Sequence, residues 1–245
     1  LHPFDEQAVW LTIMPDRGTR TNEQLVLKSN DGGQSFDERD VVIGTSDLTL
    51  RSSVDAFTTA ARSVNSIAPD LLRTKNQAAS WTTIPLGFGA LTKDESSRLY
   101  EPPAFWGARR DDGAILTTIW ETNATDLVLF TTNDGGTSWQ RTKRRRLPHT
   151  FCGGSVSEHG SIAIANDFED KIHVLIGDNK TGAWRETGIH EIEGACSARP
   201  HLAYLMSPTD AFLVFDPRGL VRDLAIWSTS DAGKTWTKKS AQIRP

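Results

Sequence analysis

An eight-residue segment occurs three times in the chain, and its copies are spread over almost the whole length. They begin at Ser29, Thr132 and Thr229 and share the form Ser/Thr-x-Asp-x-Gly-x-Ser/Thr-Phe/Trp. Average residue usage gives such a match at roughly a few positions in a million, so three copies are not an accident. Self-similarity of this kind is typical of repeat architectures, in which each copy belongs to one structural unit.

Two weaker copies lie between the three clear ones. The copy at Thr74 keeps the hydroxyl residues and the Trp, with Asn for Asp and Ala for Gly, and the copy at Gly177 keeps little more than an Asn and the Trp. The third positions of the five copies are residues 31, 76, 134, 179 and 231, which are 45, 58, 45 and 52 residues apart. A period of about 50 residues with alternating segments predicts a β-propeller or a β-array.

The residue types of the repeat predict a turn. A short Asp side chain can accept hydrogen bonds from backbone N–H groups of its own turn, and Gly permits the left-handed conformation of a tight reversal. The closing aromatic side chain can pack against the neighbouring sheet. We therefore assign a structural role, and no catalytic one, to Asp31, Gly33, Phe36, Asn76, Trp81, Asp134, Gly136, Trp139, Trp184, Asp231, Gly233 and Trp236.

The repeat resembles the Asp-box, or BNR repeat, of sialidases, sortilin-type receptors, a photosystem II assembly factor and some other glycosidases. In those proteins the box joins the third and fourth strands of a propeller blade. The resemblance therefore implies a β-propeller, but it does not specify a function.

Segments that alternate between apolar and polar residues surround each copy and predict four antiparallel strands per repeat. We expect a single all-β domain over residues 1–245, a propeller of five four-stranded blades. Sialidases have six blades, so six is the alternative, but the interval around residues 87–100 is too short for another blade. The predicted inner strands are 2–5, 50–56, 103–109, 152–157 and 196–203.

The resemblance also implies where a ligand would bind. Loops from second to third strands, and from fourth strands to the next blade, open on the face opposite the boxes, which we call the mouth. The predicted mouth loops are 15–22, 41–49, 63–65, 86–101, 121–125, 144–151, 167–170, 188–195 and 216–221. Candidate ligand-binding residues in or near them are Arg51, Asp55, Glu101, Trp106, Arg109, Trp120, His149, Asp167, Arg199 and Asp216.

A sialidase-like hydrolase needs three arginines for the substrate carboxylate, a Tyr–Glu nucleophile and an Asp acid/base. The Arg-Ile-Pro motif of that family is absent near the N-terminus, which reads His2-Pro3-Phe4. Tyr100 and Glu101 are adjacent, so on a strand their side chains would point to opposite faces. The sequence favours a non-catalytic module that binds a glycan or protein at the mouth. The alternative is a sialidase-like or other glycoside hydrolase with carboxylates and arginines in the central pocket.

Composition and spacing exclude several other functions. The net charge of -4 argues against nucleic acid as the main partner, because phosphate binding favours a basic face. No apolar run approaches the roughly 18 residues of a membrane helix. The six histidines show no metal-ligand spacing, and no phosphate-binding loop occurs. We therefore expect no metal and no cofactor.

Two further features leave alternatives open. Cys152 and Cys196 start neighbouring predicted inner strands, so they form either a disulfide or two reduced core thiols. No signal peptide is visible, but a disulfide would imply an oxidising compartment, and we expect a secreted or periplasmic protein. The basic run Arg144, Arg145 and Arg146 is either a solvated strand end or a docking patch for an acidic partner.

Overall fold

The computed structural model describes residues 2–13, 23–43, 48–60, 70–88, 91, 95–99, 103–121, 124–147, 150–166, 171–189, 200–215 and 223–242. These residues form β-strands joined by turns, and no helix occurs among them. Within these ranges there is accordingly no helix with the length and apolar character needed to cross a membrane.

The described strands form five antiparallel sheets in chain order. The first sheet contains β1 (His2–Pro3), β2 (Val9–Ile13), β3 (Glu23–Ser29) and β4 (Asp37–Ile43). The second contains β5 (Thr49–Leu50), β6 (Ala56–Ala60), β7 (Asp70–Thr74) and β8 (Thr82–Ile84). The third contains β9 (Ser96–Leu99), β10 (Ala104–Trp106), β11 (Asp112–Glu121), β12 (Ala124–Thr132), β13 (Gln140–Arg141) and β14 (Arg145–Leu147). The fourth contains β15 (Thr150–Ser157), β16 (Gly160–Asn166), β17 (Ile172–Gly177) and β18 (Trp184–Ile189). The fifth contains β19 (Pro200–Leu205), β20 (Ala211–Phe215), β21 (Asp223–Thr229) and β22 (Thr237–Gln242).

The six strands of the third sheet follow the same four-position plan as the other sheets. Both β9 and β10 pair with β11, at opposite ends of it, and both β13 and β14 pair with β12. The first and fourth positions of this sheet are therefore each filled by two short strands.

Every sheet has two distinct ends, because the strands at its four successive positions pair antiparallel. The turn from first to second strand and the turn from third to fourth strand lie at one end, which we call the turn end. In the third sheet these turns are residues 107–111 and 133–139. The second strand passes to the third at the opposite end, which we call the mouth end.

Apolar side chains on both faces of the middle strands hold successive sheets together. Along β11, Ile115 and Ile119 belong to a buried cluster shared with the second sheet, whereas Ala114 and Leu116 belong to one shared with the fourth. Two further clusters join the first sheet to the second and the fourth to the fifth. Burial of one such aliphatic side chain contributes roughly 1.5–3 kcal/mol. A strand covered on both faces is accordingly a nearly continuous apolar run.

The aromatic residue that ends each turn repeat packs in a regular way. Trp81, Trp139, Trp184 and Trp236 each pack against the cluster between their own sheet and the preceding one. The corresponding residue of the first sheet, Phe36, is 36% exposed. Through these contacts the aromatic residues of the later four repeats join neighbouring sheets.

The all-β fold and the four-stranded antiparallel arrangement are confirmed, but two predicted inner strands are wrong. The strand predicted over 50–56 ends at Leu50, and the strand predicted over 103–109 ends at Trp106. Residues 51–55 form a turn because the Ser52 hydroxyl accepts hydrogen bonds from the N–H groups of Val54 and Asp55. A serine hydroxyl that binds its own turn in this way ends a strand.

Candidate ligand-binding site

The acidic turn repeats build a closed hydrogen-bond network. In the first repeat Ser29 Oγ donates to Asp31 Oδ1 at 2.6 Å, and the N–H of Gly33 donates to Ser29 Oγ at 2.7 Å. Ser35 donates to the same carboxylate from its backbone N–H at 2.9 Å and from its hydroxyl at 2.6 Å. Asp31 is thus occupied by donors of its own turn and has a structural role.

The same network recurs in three of the other repeats. Thr132 and Ser138 donate to Asp134, and Thr229 and Thr235 donate to Asp231. In the second repeat Thr74 Oγ1 donates to Asn76 Oδ1 at 2.9 Å, and the N–H of Ser80 donates to it at 3.0 Å. An amide therefore replaces the carboxylate without a change in the turn.

These hydrogen bonds keep the aspartates ionised. Donors from Ser29 and Ser35 hold the pKa of Asp31 well below its ordinary value of 3.8. Burial alone would raise the pKa of Asp134, but hydrogen bonds from its own turn outweigh this effect and lower it far below 3.8. Hydrogen bonds from Thr235 and Thr229 lower the pKa of Asp231 to about 2. A carboxylate held in this state does not act as an acid near neutral pH.

A second feature of these repeats is a hydrogen bond between the two turns of one sheet, which we call the inter-turn hydrogen bond. The N–H of Gly32 donates to Gln7 O at 3.0 Å, and the N–H of Gly135 donates to Asp111 O at 2.8 Å. Gln77 and Ala232 make the corresponding bonds in the second and fifth sheets. The repeat therefore fastens the inner hairpin of its own sheet.

The fourth repeat departs from this construction. Its turn is one residue shorter, and Asp178 accepts hydrogen bonds from the N–H of Lys180 and from Thr181 Oγ1, both at 2.8 Å. Asn179 is buried, accepts from Ser161 Oγ at 2.6 Å and donates to Ser157 O at 2.7 Å. The alignment that placed Asn179 at the Asp position is wrong, because Asp178 provides the turn carboxylate. The Asn179 amide instead contacts the inner hairpin.

Four of the predicted mouth residues lie at the turn end instead. Arg51 and Asp55 belong to the turn 51–55, Trp106 ends β10, and Arg109 lies in the turn 107–111. Their placement at the mouth is wrong, because the first strands of both sheets end earlier than the alternation predicted.

Arg51 and Asp55 take part in an ion-pair network between the second and third sheets. Arg73, 3% exposed, binds both oxygens of Asp55, with Nε at 2.9 Å and Nη2 at 2.7 Å. Arg51 Nη1 lies 2.9 Å from Asp55, and Arg51 Nη2 binds the Asp111 carboxylate of the third sheet. A bidentate arginine satisfies a buried carboxylate, so this network is structural.

Trp120 is the predicted site residue that the structure places at the mouth end. It is half-buried, and its Nε1 donates to Thr118 Oγ1 at 2.8 Å. The other predicted site residues, Glu101, His149, Asp167, Arg199 and Asp216, lie outside the described residues, as do the loops 15–22, 63–65, 167–170 and 216–221.

Two of the three arginines of the basic run pair with carboxylates of the third sheet at the mouth end. Arg144 lies 2.5 Å from the buried Glu95, and Arg146 binds Glu121 through two hydrogen bonds of 2.7 and 2.8 Å. Arg146 Nε also lies 2.8 Å from Asp126. The hydrogen bond to Glu121 raises the pKa of Arg146. Arg145, between them in the run, is exposed.

Cys152 is disulfide-bonded. It is the cysteine that the described ranges contain, and no free thiol occurs in them. Cys196 lies outside the described residues, so the pairing of Cys152 with Cys196 stays a prediction.

A cavity of about 350 Å³ opens at the turn end between the third and fourth sheets. Trp106 lines it together with the third-sheet residue Gln140 and the fourth-sheet residues Glu158, Asn179 and Lys180. The described residues contain no group of three or more His, Cys, Asp or Glu side chains that could hold a metal ion. The sequence did not predict this cavity, because its residues come from two sheets. One signal was present: the fourth repeat has Gly177 where the other repeats have Ser or Thr, so Asn179 lacks the hydroxyl partner of the other turns.

No protein-family model and no curated protein matches the chain. Among solved structures, the chain is similar to a GH74 xyloglucanase from Xanthomonas campestris, with 16% identity and a TM-score of 0.60 over 97% of this chain and 37% of that one. It is similar to a prolyl endopeptidase, with 12% identity and a TM-score of 0.58 over 98% of this chain and 34% of that one. It is also similar to the six-bladed β-propeller lectin of Aleuria aurantia, with 10% identity and a TM-score of 0.52 over 98% of this chain and 78% of that one.

These comparisons define the class of protein by its fold. The chain has the antiparallel four-stranded sheets of β-propellers, and it spans about a third of the length of the two enzymes. At these identities the likeness concerns the fold alone, and the fold occurs in enzymes and in a lectin, so it does not define an activity.

Proposed function

We propose that the chain is a non-catalytic Asp-box β-propeller that binds a glycan or a protein partner. One observation supports the absence of catalysis. The buried carboxylates among the described residues are Asp55, Glu95 and Asp126, and each of them is paired with an arginine. A glycoside hydrolase needs a carboxyl group that is free to transfer a proton or to attack carbon. Carboxylates fixed in this way serve structure.

The proposal includes the finer features that the sequence predicted. We propose that the chain is one domain of five blades and that it is exported from the cytosol. Its ligand binds through the loops of the mouth. The half-buried Trp120 at the mouth end supports this location, because an aromatic side chain there offers a stacking surface. The remaining candidate mouth residues are Glu101, His149, Asp167, Arg199 and Asp216.

Binding and hydrolysis are separated by testing one preparation in two assays. The 245-residue protein is applied to a glycan array and, in parallel, to a panel of fluorogenic glycosides. We expect glycan binding without release of fluorophore. Release that follows the protein through purification and is lost in Glu101→Gln, Asp167→Asn or Asp216→Asn would show the alternative, a sialidase-like or other glycoside hydrolase. Lys239→Ala serves as the control, because Lys239 is an exposed residue of β22 and belongs to none of the candidate sites.

A further inference from the structure

The cavity between the third and fourth sheets lies at the turn end, opposite the predicted mouth. We infer that this cavity binds a neutral mono- or disaccharide unit. The inference rests on the proposed binding function and adds a site and a ligand class to it. The volume of about 350 Å³ lies at the lower end of the roughly 300–1,000 Å³ of small-molecule sites.

Trp106 supplies the apolar surface of this site. It is half-buried, packs against the cluster between the third and fourth sheets and lines the cavity. An indole that is supported in this way offers a large, rigid surface at a low entropic cost. The apolar face of a pyranose ring fits such a surface.

Amide side chains supply the directional contacts. Gln140 and Asn133 line the cavity from exposed positions of the third sheet, and Asn179 lines it from the fourth. Asn179 is fixed by its hydrogen bonds to Ser161 and Ser157, so its orientation is set before a ligand arrives. The exposed amides of Gln140 and Asn133 can each donate and accept at once, which matches the hydroxyl groups of a sugar.

The charges around the cavity favour a neutral ligand. Asp112 and Glu158 line it together with Lys180. Two carboxylates and one ammonium group leave a net negative charge, which disfavours sialylated or sulfated saccharides.

The cavity occurs at the junction where the turn departs from the repeat. In the third sheet Gly136 packs so closely on Phe57 that an added Cβ would lie 2.7 Å from the ring. In the fifth sheet Gly233 packs in the same way on Thr187. The fourth turn lacks the two-residue left-handed segment. Its left-handed residue is Gly182, which packs on Thr142 of the third sheet, and Lys180 stands at the edge of the open space.

Isothermal titration of the full chain with cellobiose, maltose, lactose, mannobiose and methyl fucoside tests the inference, with sialyllactose and a heparin disaccharide as charged comparisons. We expect at least one neutral saccharide to bind. Trp106→Ala should weaken that binding roughly tenfold or more, as expected for an aromatic anchor. Gln140→Ala, an exposed position that folding tolerates, should weaken it about threefold through one lost hydrogen bond.

Two matched variants separate this inference from the proposed function. Lys239→Ala changes an exposed residue of β22 and should leave binding unchanged. Weakening by Trp120→Ala but not by Trp106→Ala or Gln140→Ala would move the site to the mouth end and overturn the inference, while the proposed function stands. Binding of charged saccharides alone would overturn the ligand class. Hydrolysis of a saccharide would overturn the non-catalytic function, whereas the dependence of binding on Trp106 and Gln140 decides the inference.

Discussion

In the acidic turns, the side chain at the Asp position acts as a hydrogen-bond acceptor, and an amide can take the place of the carboxylate. Asn76 accepts from Thr74 Oγ1 and from the Ser80 N–H, as Asp31 accepts from Ser29 Oγ and the Ser35 N–H. The last hydrogen bond is reversed, because Asn76 Nδ2 donates to Ser80 Oγ whereas Asp31 accepts from the Ser35 hydroxyl. Geometry at this position therefore depends on an acceptor oxygen, and charge adds strength to the hydrogen bonds. Asn76 is therefore a natural reference for an Asp-to-Asn substitution in the other turns.

This comparison predicts the outcome of two substitutions at Asp134. Asp134→Ala removes the acceptor and should lower the free energy of unfolding by about 1 kcal/mol, the size of a lost capping interaction. Asp134→Asn should lower it by less, since Asn76 shows that the amide fits. Urea denaturation measures both, and Asn76→Ala is the matched variant in the second sheet. Equal losses for the Asn and Ala variants at Asp134 would contradict the argument.

Stability in acid should depend on Asp231. Hydrogen bonds from Thr235 and Thr229 lower its pKa from 3.8 to about 2 in the folded protein. The unfolded chain then binds a proton more readily than the folded one, so this contribution is complete above about pH 4 and is lost as the pH falls toward 2. In Asp231→Asn the midpoint of thermal unfolding should fall less steeply between pH 4 and pH 2. An unchanged slope would show that Asp231 does not contribute to acid unfolding.

At the level of elements, two consecutive left-handed residues define each full turn. They are Gly32 and Gly33 in the first sheet, but Ala232 and Gly233 in the fifth, where Ala232 has φ 60°. An L-residue in this conformation costs about 1–2 kcal/mol, and glycine does not. In the second sheet both residues, Gln77 and Ala78, are non-glycine residues in this conformation, so the cost applies twice.

Ala232→Gly should therefore raise the free energy of unfolding by about 0.5–1 kcal/mol. Glycine relieves the left-handed strain of the folded state, but it also gives the unfolded chain more conformational freedom, which offsets part of the gain. Ala78→Gly is the matched control: it relieves the same strain but removes a methyl group that is fully buried in the cluster between the first two sheets. We expect no gain there. A shift of the urea midpoint at Ala78 as large as that at Ala232 would contradict this balance.

Local patterns made some elements predictable and left others undefined. The apolar runs of β11, β12 and β16 indicate strands covered on both faces, and the structure buries these strands on both faces. The turn 51–55 was missed because Leu50 to Ala56 also alternates. Its signal was a second repeat, Ser-x-x-Asp-Ala, which recurs as Ser207 to Ala211 with Ser207 Oγ accepting from the Asp210 N–H at 2.9 Å.

The candidate site was harder to predict than the fold because it depends on contacts between sheets. The ion pair of Arg51 with Asp111, for example, joins the second sheet to the third across 60 positions of sequence. Alternation reports the face of a strand that a residue occupies, but it does not report which distant strand packs against it. The cavity beside Trp106 combines two sheets in the same way.

At the scale of the whole molecule, the two end sheets present apolar faces. Leu202, Tyr204 and Met206 of the fifth sheet are 46%, 42% and 48% exposed, and Ile13 of the first sheet is 40% exposed. Among the described residues no apolar cluster joins these two sheets, whereas every other consecutive pair has one. The proposed five-bladed ring requires these faces to cover each other.

Ring closure predicts a large cost for a charge on the fifth sheet. If Tyr204 lies against the first sheet in solution, Tyr204→Lys should lower the free energy of unfolding by about 2 kcal/mol or more, because a charge would replace a buried ring. Thr237→Lys, at an exposed position of β22 in the same sheet, should change it by less than about 0.5 kcal/mol. Sedimentation should give a monomer for all three proteins. A wild-type dimer that Tyr204→Lys dissociates without loss of stability would show that a second copy covers this face, and the five-bladed ring would be wrong.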